Sequence, residues 1–363
     1  MSLLTETMKS YSKQFDDLRG CKDLEVLDHP LPKPSMESQA VTPGATRLPF
    51  SDVYIKVKQR PLLLAEPATM STQTADMKAR IMYAQRYFGI IGMHLTVLLA
   101  GPFLFSWRNL MIGYATWCIT HLFGITFSYH RQLTHRSFKT PKWFEYLCAW
   151  LGCMAGQGDP IEWVCNHRYH HLHTDTPLDP HSPYEGFWWA HMGWFADGAA
   201  AVERPMLDHS NVPDLTSQVF YRFLAATWFP QLLIRHALTQ YFGGLSAVVW
   251  TLAFPTVWGW HVTFLVNSAA HIWGRQPYNT GDLSKNNWWV ALITFGEGWH
   301  NAHHAFPYSA RHGLEWWELD ITWLLISFLR SIGMVWDVQM PSDKAKAAKR
   351  MPAHKLGAAT KAD

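Results

Sequence analysis

FGIIGMHLTVLLAGPFLFSW, residues 88–107, runs for twenty positions without an acid, a lysine or an arginine. About 20 helical residues at ~1.5 Å each match the hydrocarbon core of a bilayer, so this stretch predicts a membrane span. Only Arg108 and Asn109 follow before a second apolar run, Leu110 to about Tyr129, and so short a link predicts an antiparallel pair. A second pair is expected from about Val219 to Leu238 and from about Leu245 to Val266, with boundaries softened by Arg222 and Arg235, as His121 softens the second span. Phe144 to Ala155 is too short to cross and is expected at the interface. The chain is therefore expected to be an all-α integral membrane protein with four transmembrane helices.

The composition agrees. Of 363 residues 48% are hydrophobic, and 20 Trp and 20 Phe suit a protein whose amphipathic rings meet lipid headgroups. Average hydropathy is nonetheless close to neutral, so a sizeable polar part sits in water. A net charge of +3 without a basic stripe excludes nucleic acid as a partner. The five cysteines, Cys21, Cys118, Cys148, Cys153 and Cys165, are odd in number and unpaired in spacing, which speaks for a reducing compartment.

Three parts are expected: a polar, mobile N-terminal arm over residues 1–75, a four-span domain over 76–341, and a basic tail over 342–363. The arm does not read as a secretory signal, and Glu6, Asp16, Asp17, Asp23 and Glu25 are unlike a transit peptide. Lys78, Arg80 and Arg86 precede the first span, and Lys344, Lys346, Lys349 and Arg350 lie in the tail. Basic residues near span ends mark the cytoplasmic or stromal side, so four spans put both termini and the large central loop there.

Histidine is the outlier, with 20 copies. His130 and His135 stand in HRQLTH at the inner end of the second span, His167, His170 and His171 in HRYHH in the central loop, and His300, His303 and His304 in HNAHH after the fourth. All lie on one membrane face. Residues at i, i+3 and i+4 share a helix side, so each HxxHH is expected to present three imidazoles to one place. His130 and His135, five apart, fit an α-helix face less well and predict a bend or helix end. One HxxHH arises by composition in roughly one such chain in fifteen, but two with a third pair on one membrane face do not. Eight imidazoles exceed one tetrahedral zinc and suit two metal ions, with nitrogen-rich open sites fitting redox iron. Asp159, Glu162, Asp175 and Glu297 are candidates to orient imidazoles through their distal N–H. His173, His181, His191, His261 and His312 are expected at the surface or around the ligands, and His94 and His121 as packed or lining groups.

The three boxes resemble those of the membrane fatty acid desaturases, in the branch of stearoyl-CoA and plant-cyanobacterial Δ9 acyl-lipid desaturases. GDPIEWVCNHRYHH, TDTPLDPHSPYEGFWWAHMGW and FGEGWHNAHHAFPYSARHGLEWWELDITW extend the resemblance over about Ala84 to Pro341. It implies a helical cytosolic cap holding a di-iron site. NSAAH, Asn267 to His271, supplies a ninth histidine ligand, His271, with Asn267 contacting one iron through water. The resemblance further implies a substrate tunnel closed by Tyr114, with Cys118 one turn on and Gln157 and Trp163 lining it.

The implied reaction uses O2 and two external electrons to place a cis double bond, Δ9 by family default, in an acyl chain carried on CoA or a membrane lipid. No HPGG haem motif occurs, so the donor is separate: cytochrome b5 in the endoplasmic reticulum, which the acidic arm favours, or ferredoxin in a plastid. A di-iron lipid hydroxylase is the nearest rival. A histidine-rich metal transporter is the distant one, because transporters bind near the midplane.

Overall fold

The structure is a computed structural model and describes residues 84, 86–176, 178–197 and 209–352. The arm expected over residues 1–75 lies outside the described residues. Helix α1 is Arg86–Ala100 and α2 is Trp107–Thr134. Helices α3, Lys142–Cys153, and α4, Pro160–His173, follow. Helices α5, Val219–Ala247, and α6, Phe254–Asn267, belong to one run that continues to Ile272. Helices α7, His300–Ala305, α8, Ile321–Ser331, and α9, Asp343–Lys349, come later in the chain, among shorter helical turns. Among the described residues there are no strands, only isolated bridges such as Lys139 to Trp336.

Among the described residues two helices are long and apolar enough to cross a membrane: α2 and the run Val219–Ile272. The first apolar stretch does not stay helical to Trp107. Gly101 and Pro102 follow the end of α1, and a turn leads to Ser106, whose side chain caps α2 by accepting from Asn109 N–H. Proline lacks the N–H that a continuing helix needs, so α1 is shorter than the twenty-residue run from which it was expected. The second pair of expected spans forms one helical run of 54 residues. Straight, that would reach about 80 Å, far beyond the ~30 Å hydrocarbon core. Gly244 breaks it, at φ 68° and ψ −172°, a conformation that is essentially glycine's alone. Ser246, two residues on, accepts from Asn109 Nδ2 at 2.9 Å and donates to Leu104 O at 2.8 Å, which joins this break to the turn before α2.

The short apolar stretch Phe144 to Ala155 lies largely in α3, which crosses α2 where Gly124 meets Gly152. A Cβ on Gly124 would run into the Gly152 backbone, so only glycine permits this approach. Trp143, Leu147 and Trp150 stay exposed on the other side of α3. Many large apolar side chains are exposed elsewhere, among them Phe88, Phe103, Trp107, Tyr241 and Phe242, an unusual display for a surface meeting water alone. The start of the basic tail is strapped down: Lys349 Nζ in α9 donates to Ala305 O, the last carbonyl of α7, at 2.6 Å.

Candidate metal centre

Each histidine is placed by its local fold. Over Thr120–Thr134 α2 widens into a π-helix, and His135 N–H donates to His130 O at 3.2 Å, an i to i−5 bond. In a π-turn residues five apart stack on one face. That accounts for a spacing that suits an α-helix poorly, and it brings the His130 and His135 rings to 4.9 Å between centroids. Asp159 caps α4, accepting from Ile161 N–H at 2.8 Å and Glu162 N–H at 3.1 Å, with Pro160 in the first turn. His300 opens α7.

The nine histidines gather into two groups: His130, His135, His167, His171 and His303 in one, His170, His271, His300 and His304 in the other. Within each, the ligand atoms lie within 4.8 Å of one another. The expectation that an HxxHH serves one place is corrected. In both helices the i and i+4 imidazoles go to one group and the i+3 imidazole to the other, in opposite senses: His167 and His171 with His303, His300 and His304 with His170. At 100° per residue, i+3 and i+4 fall on either side of i, so the two can diverge across a shared seam. The groups abut there, with His171 and His304 rings 4.6 Å apart.

The inner nitrogens converge. Nε2 to Nε2 separations are 3.2 Å for His130–His303, 2.9 Å for His303–His171 and 3.2 Å for His171–His167. In the second group they are 3.0 Å for both His300–His271 and His304–His300. Nitrogens about 2.1 Å from a common ion stand about 3 Å apart along a coordination edge. Buried Nε2 atoms of His135 and His170 have no hydrogen-bond partner among the described residues. This all-nitrogen donor set fits two metal ions.

The outer nitrogens meet carboxylates. His130 Nδ1 lies 2.6 Å from Glu297, His170 Nδ1 2.9 Å from Asp179, and His271 and His304 Nδ1 each 3.1 Å from Asp175 and Asp282. Glu297 and Asp175 thus stand where sequence reasoning put them. Asp159 instead caps α4, and Glu162 pairs with Arg86 at 3.0 Å. Asp179 and Asp282 were missed, and nothing in their spacing ties them to a histidine. A further buried layer is Arg131, pairing with Glu297 and Asp320 at 2.9 Å each, and His312, 3.0 Å from Glu297. The His181 ring packs, tilted, against His170 at 4.3 Å between centroids.

Burial holds His135, His167, His170, His171, His300 and His303 well below the ordinary imidazole range, and their neighbours' charges add to this. Neutral imidazole keeps the lone pair that a metal needs. Burial alone would raise Asp282, but hydrogen bonding and charge from His304 hold it low. Glu297 is likewise held low against burial by Arg131, His312 and His130.

Beside the first group lies a cavity of about 50 Å³ whose lining includes Gln157, Trp163, His167, His181 and Asn267. Gln157 Nε2 donates to Thr263 at 2.8 Å, and Trp163 Nε1 to Gln157 at 3.2 Å. His121 is buried, its Nε2 3.3 Å from Gln157. Tyr114 is half-exposed on α2, and Cys118 packs against the cluster of Trp117, Val262 and Phe295. His94, His261 and His191 form a separate hydrogen-bonded chain.

A family model for fatty acid desaturases matches residues 103–336, which contain all nine histidines. The chain is 51% identical over 257 residues to the palmitoyl-monogalactosyldiacylglycerol delta-7 desaturase, chloroplastic, of Arabidopsis thaliana, covering 71% of this chain and 69% of that one. It is 45% identical over 311 residues to the acyl-CoA C20 Delta5-desaturase of Anemone leveillei, covering 85% and 96%. With the delta-9 acyl-lipid desaturase 1 of Arabidopsis thaliana it shares 45% over 287 residues, 76% and 93% of the two chains. The two-group histidine centre and these matches lead to one conclusion: this chain belongs to the fatty acid desaturase family.

Proposed function

We propose that the chain is a multi-pass membrane desaturase that places a cis double bond, at Δ9, in a saturated acyl chain. The observation that carries this reading is the reciprocal sharing of imidazoles between α4 and α7, which builds two abutting nitrogen shells. His130, His135, His167, His171 and His303 would hold one iron. His170, His271, His300 and His304 would hold the other, with Asn267 reaching an iron through water. Two irons, reduced by an external donor (cytochrome b5 or ferredoxin), supply the O2-activating power that removes hydrogen from unactivated CH2 groups.

The chain's own residues do the rest. Glu297, Asp179, Asp175 and Asp282 fix the tautomer and direction of four rings by facing their Nδ1 atoms. Gln157 and Trp163 shape the cavity at the first group and would position the acyl chain, with Tyr114 and Cys118 bounding its far end. The four-span topology, with the histidines on the cytosolic or stromal face, rests on the apolar runs and on the break at Gly244. The acidic arm speaks for the endoplasmic reticulum, and the chloroplastic name of the delta-7 desaturase relative speaks for a plastid.

The test is a fatty-acid profile with double-bond location, in yeast lacking its own Δ9 desaturase and expressing this chain. A new cis-Δ9 acid that vanishes in His303→Ala supports the reading. A Δ7 or Δ5 product keeps the desaturase and corrects the position, and an alcohol product overturns it in favour of a hydroxylase. If yeast gives no product, plastid lipid with ferredoxin decides between a wrong donor and a wrong reading.

A further inference from the structure

Helix α7 carries three of the nine histidines on only six residues. A helix that short closes too few of its own hydrogen bonds to stand alone, and its last carbonyls have no partner within it. Its shape therefore rests on what holds it from outside. In the first turn Asn286 Oδ1 accepts from Ala302 N–H at 3.0 Å. At the other end Lys349 Nζ donates to Ala305 O at 2.6 Å, and the same ammonium lies 5.4 Å from the centre of the Phe306 ring. A cation at this end also suits the helix dipole. Ala305 follows His304 directly.

The tail attaches a second time, beside the first contact. Ser342 starts α9 by accepting from Ala345 N–H, and α9 delivers residues 349–351 to the segment 277–279. Asn279 N–H donates to Lys349 O and Met351 N–H to Pro277 O, both at 2.8 Å, so the two segments pair antiparallel at Tyr278 and Arg350. Tyr278 is buried in a cluster with Ala302, Ala305 and Phe306, against which Ala345 of α9 packs. Asn301 of α7 holds the same peptide. Its Oδ1 accepts from Tyr278 N–H at 2.8 Å, and its Nδ2 donates to Tyr278 O at 3.0 Å. Two residues on, Thr280 Oγ1 donates to Asp282 Oδ1 at 2.6 Å, and the other oxygen of Asp282 lies 3.1 Å from His304 Nδ1. Arg350 anchors the outer side by pairing with Glu315 at 2.6 Å.

Both attachments lead to His304. One fixes the carbonyl of the residue after it, and the other fixes the segment whose carboxylate aims its ring. His304 belongs with His170, His271 and His300, the second group. The strap itself lies past residue 336, where the match to the family model ends.

We propose that Lys349 is a positioning residue for the second metal group, and that residues 342–351 form a strap that sets how firmly His304 holds its ion. The inference rests on the two-metal reading of the nine histidines. The strap touches neither ion nor substrate. It restricts α7 and the Asp282 segment before metal arrives, and ligands already in place bind more tightly because less ordering remains to be done.

The test uses the iron-loaded full chain in lipid nanodiscs and a graded chelator series, comparing wild type with Lys349→Met and Lys349→Arg. Methionine keeps an apolar stem and cannot donate, whereas arginine can donate to the same carbonyl. In Lys349→Met one iron is expected to leave at about tenfold less chelator, the lower end of the cost of losing an outer partner, while the other leaves as in wild type. Recovery in Lys349→Arg supports the hydrogen bond itself as the cause. In a chain whose second group is already stripped by His170→Ala with His300→Ala, Lys349→Met should leave release of the remaining iron unchanged. A wild-type release profile in Lys349→Met, or equal loosening of both irons, would overturn the strap. Independently of iron, amide exchange over residues 277–284 of metal-free protein should quicken in Lys349→Met, and unchanged exchange would also overturn it. A wild type that binds no iron would overturn the two-metal reading instead, and the exchange result would still decide whether the tail holds these segments.

Discussion

Glu297 holds two neighbours in sequence at once: its Oε2 lies 2.6 Å from His130 Nδ1, and its Oε1 accepts from Arg131 Nη2 at 2.9 Å. One carboxylate thus aims a ring of the first group and neutralises a fully buried guanidinium, which Asp320 also pairs. Glu297→Gln keeps the shape and removes the charge. Loss of such an outer partner typically costs about 10–100-fold in metal affinity. Iron remaining per chain after dialysis against a graded chelator series is expected to fall in that range, with the fold retained because Arg131 keeps Asp320.

The reciprocal sharing of imidazoles makes a prediction that three histidines per site would not. His170→Ala with His300→Ala strips one group only, so about one iron per chain should remain. His170→Ala with His303→Ala damages both groups, and iron should fall toward none. Elemental analysis of the two double variants checks this, and equal losses would count against the division.

Removing metal should leave the centre sensitive to acid. Six of its imidazoles are held below their usual 6.5 by burial. As pH falls below about 6.5 the unfolded chain takes protons that the folded chain refuses, so stability is lost on acidification. Asp179, pushed up to about 7 by burial, and His271, raised by its Asp175 partner against burial, work in the opposite sense, but they are two groups against six. Thermal melts of chelator-treated protein are expected to show a lower Tm at pH 5.5 than at pH 7.5.

At Gly244 space is not the constraint, since nothing lies within 4 Å of an added Cβ. The backbone conformation is. Gly244→Ala should cost about 1–3 kcal/mol through strain alone, seen as a lowered Tm in detergent without loss of iron. An unchanged Tm would mean that the break relaxes freely.

Tyr114→Ala is expected to lengthen the acyl chains accepted, read from the chain-length distribution of the product. An unchanged distribution would remove Tyr114 from the tunnel.

Much of this was legible because it is written in long patterns. The apolar runs show as helices, and the nine histidines that met in two groups were named from short spacings and from resemblance. What escaped depended on local winding or on distant partners. The widened turn that brings His130 and His135 together, ring edge to ring face, has no residue signature, so the spacing alone reads as a poor fit to a helix. The divergence of His170 from His171 is a matter of about 100° on a helix, decided by which partner helix faces it. Asp179 and Asp282 reach their rings only because separate loops fold back. The shortening of α1 at Gly101–Pro102 was visible in the residues but masked by the apolar run around it.

The most direct test of two imidazole-bound irons is the metal content of the intact chain, purified from an iron-supplied host, with X-ray absorption on the same sample. The account predicts two irons per chain and a nitrogen shell at about 2.1 Å. One metal per chain, or zinc in place of iron, would contradict it.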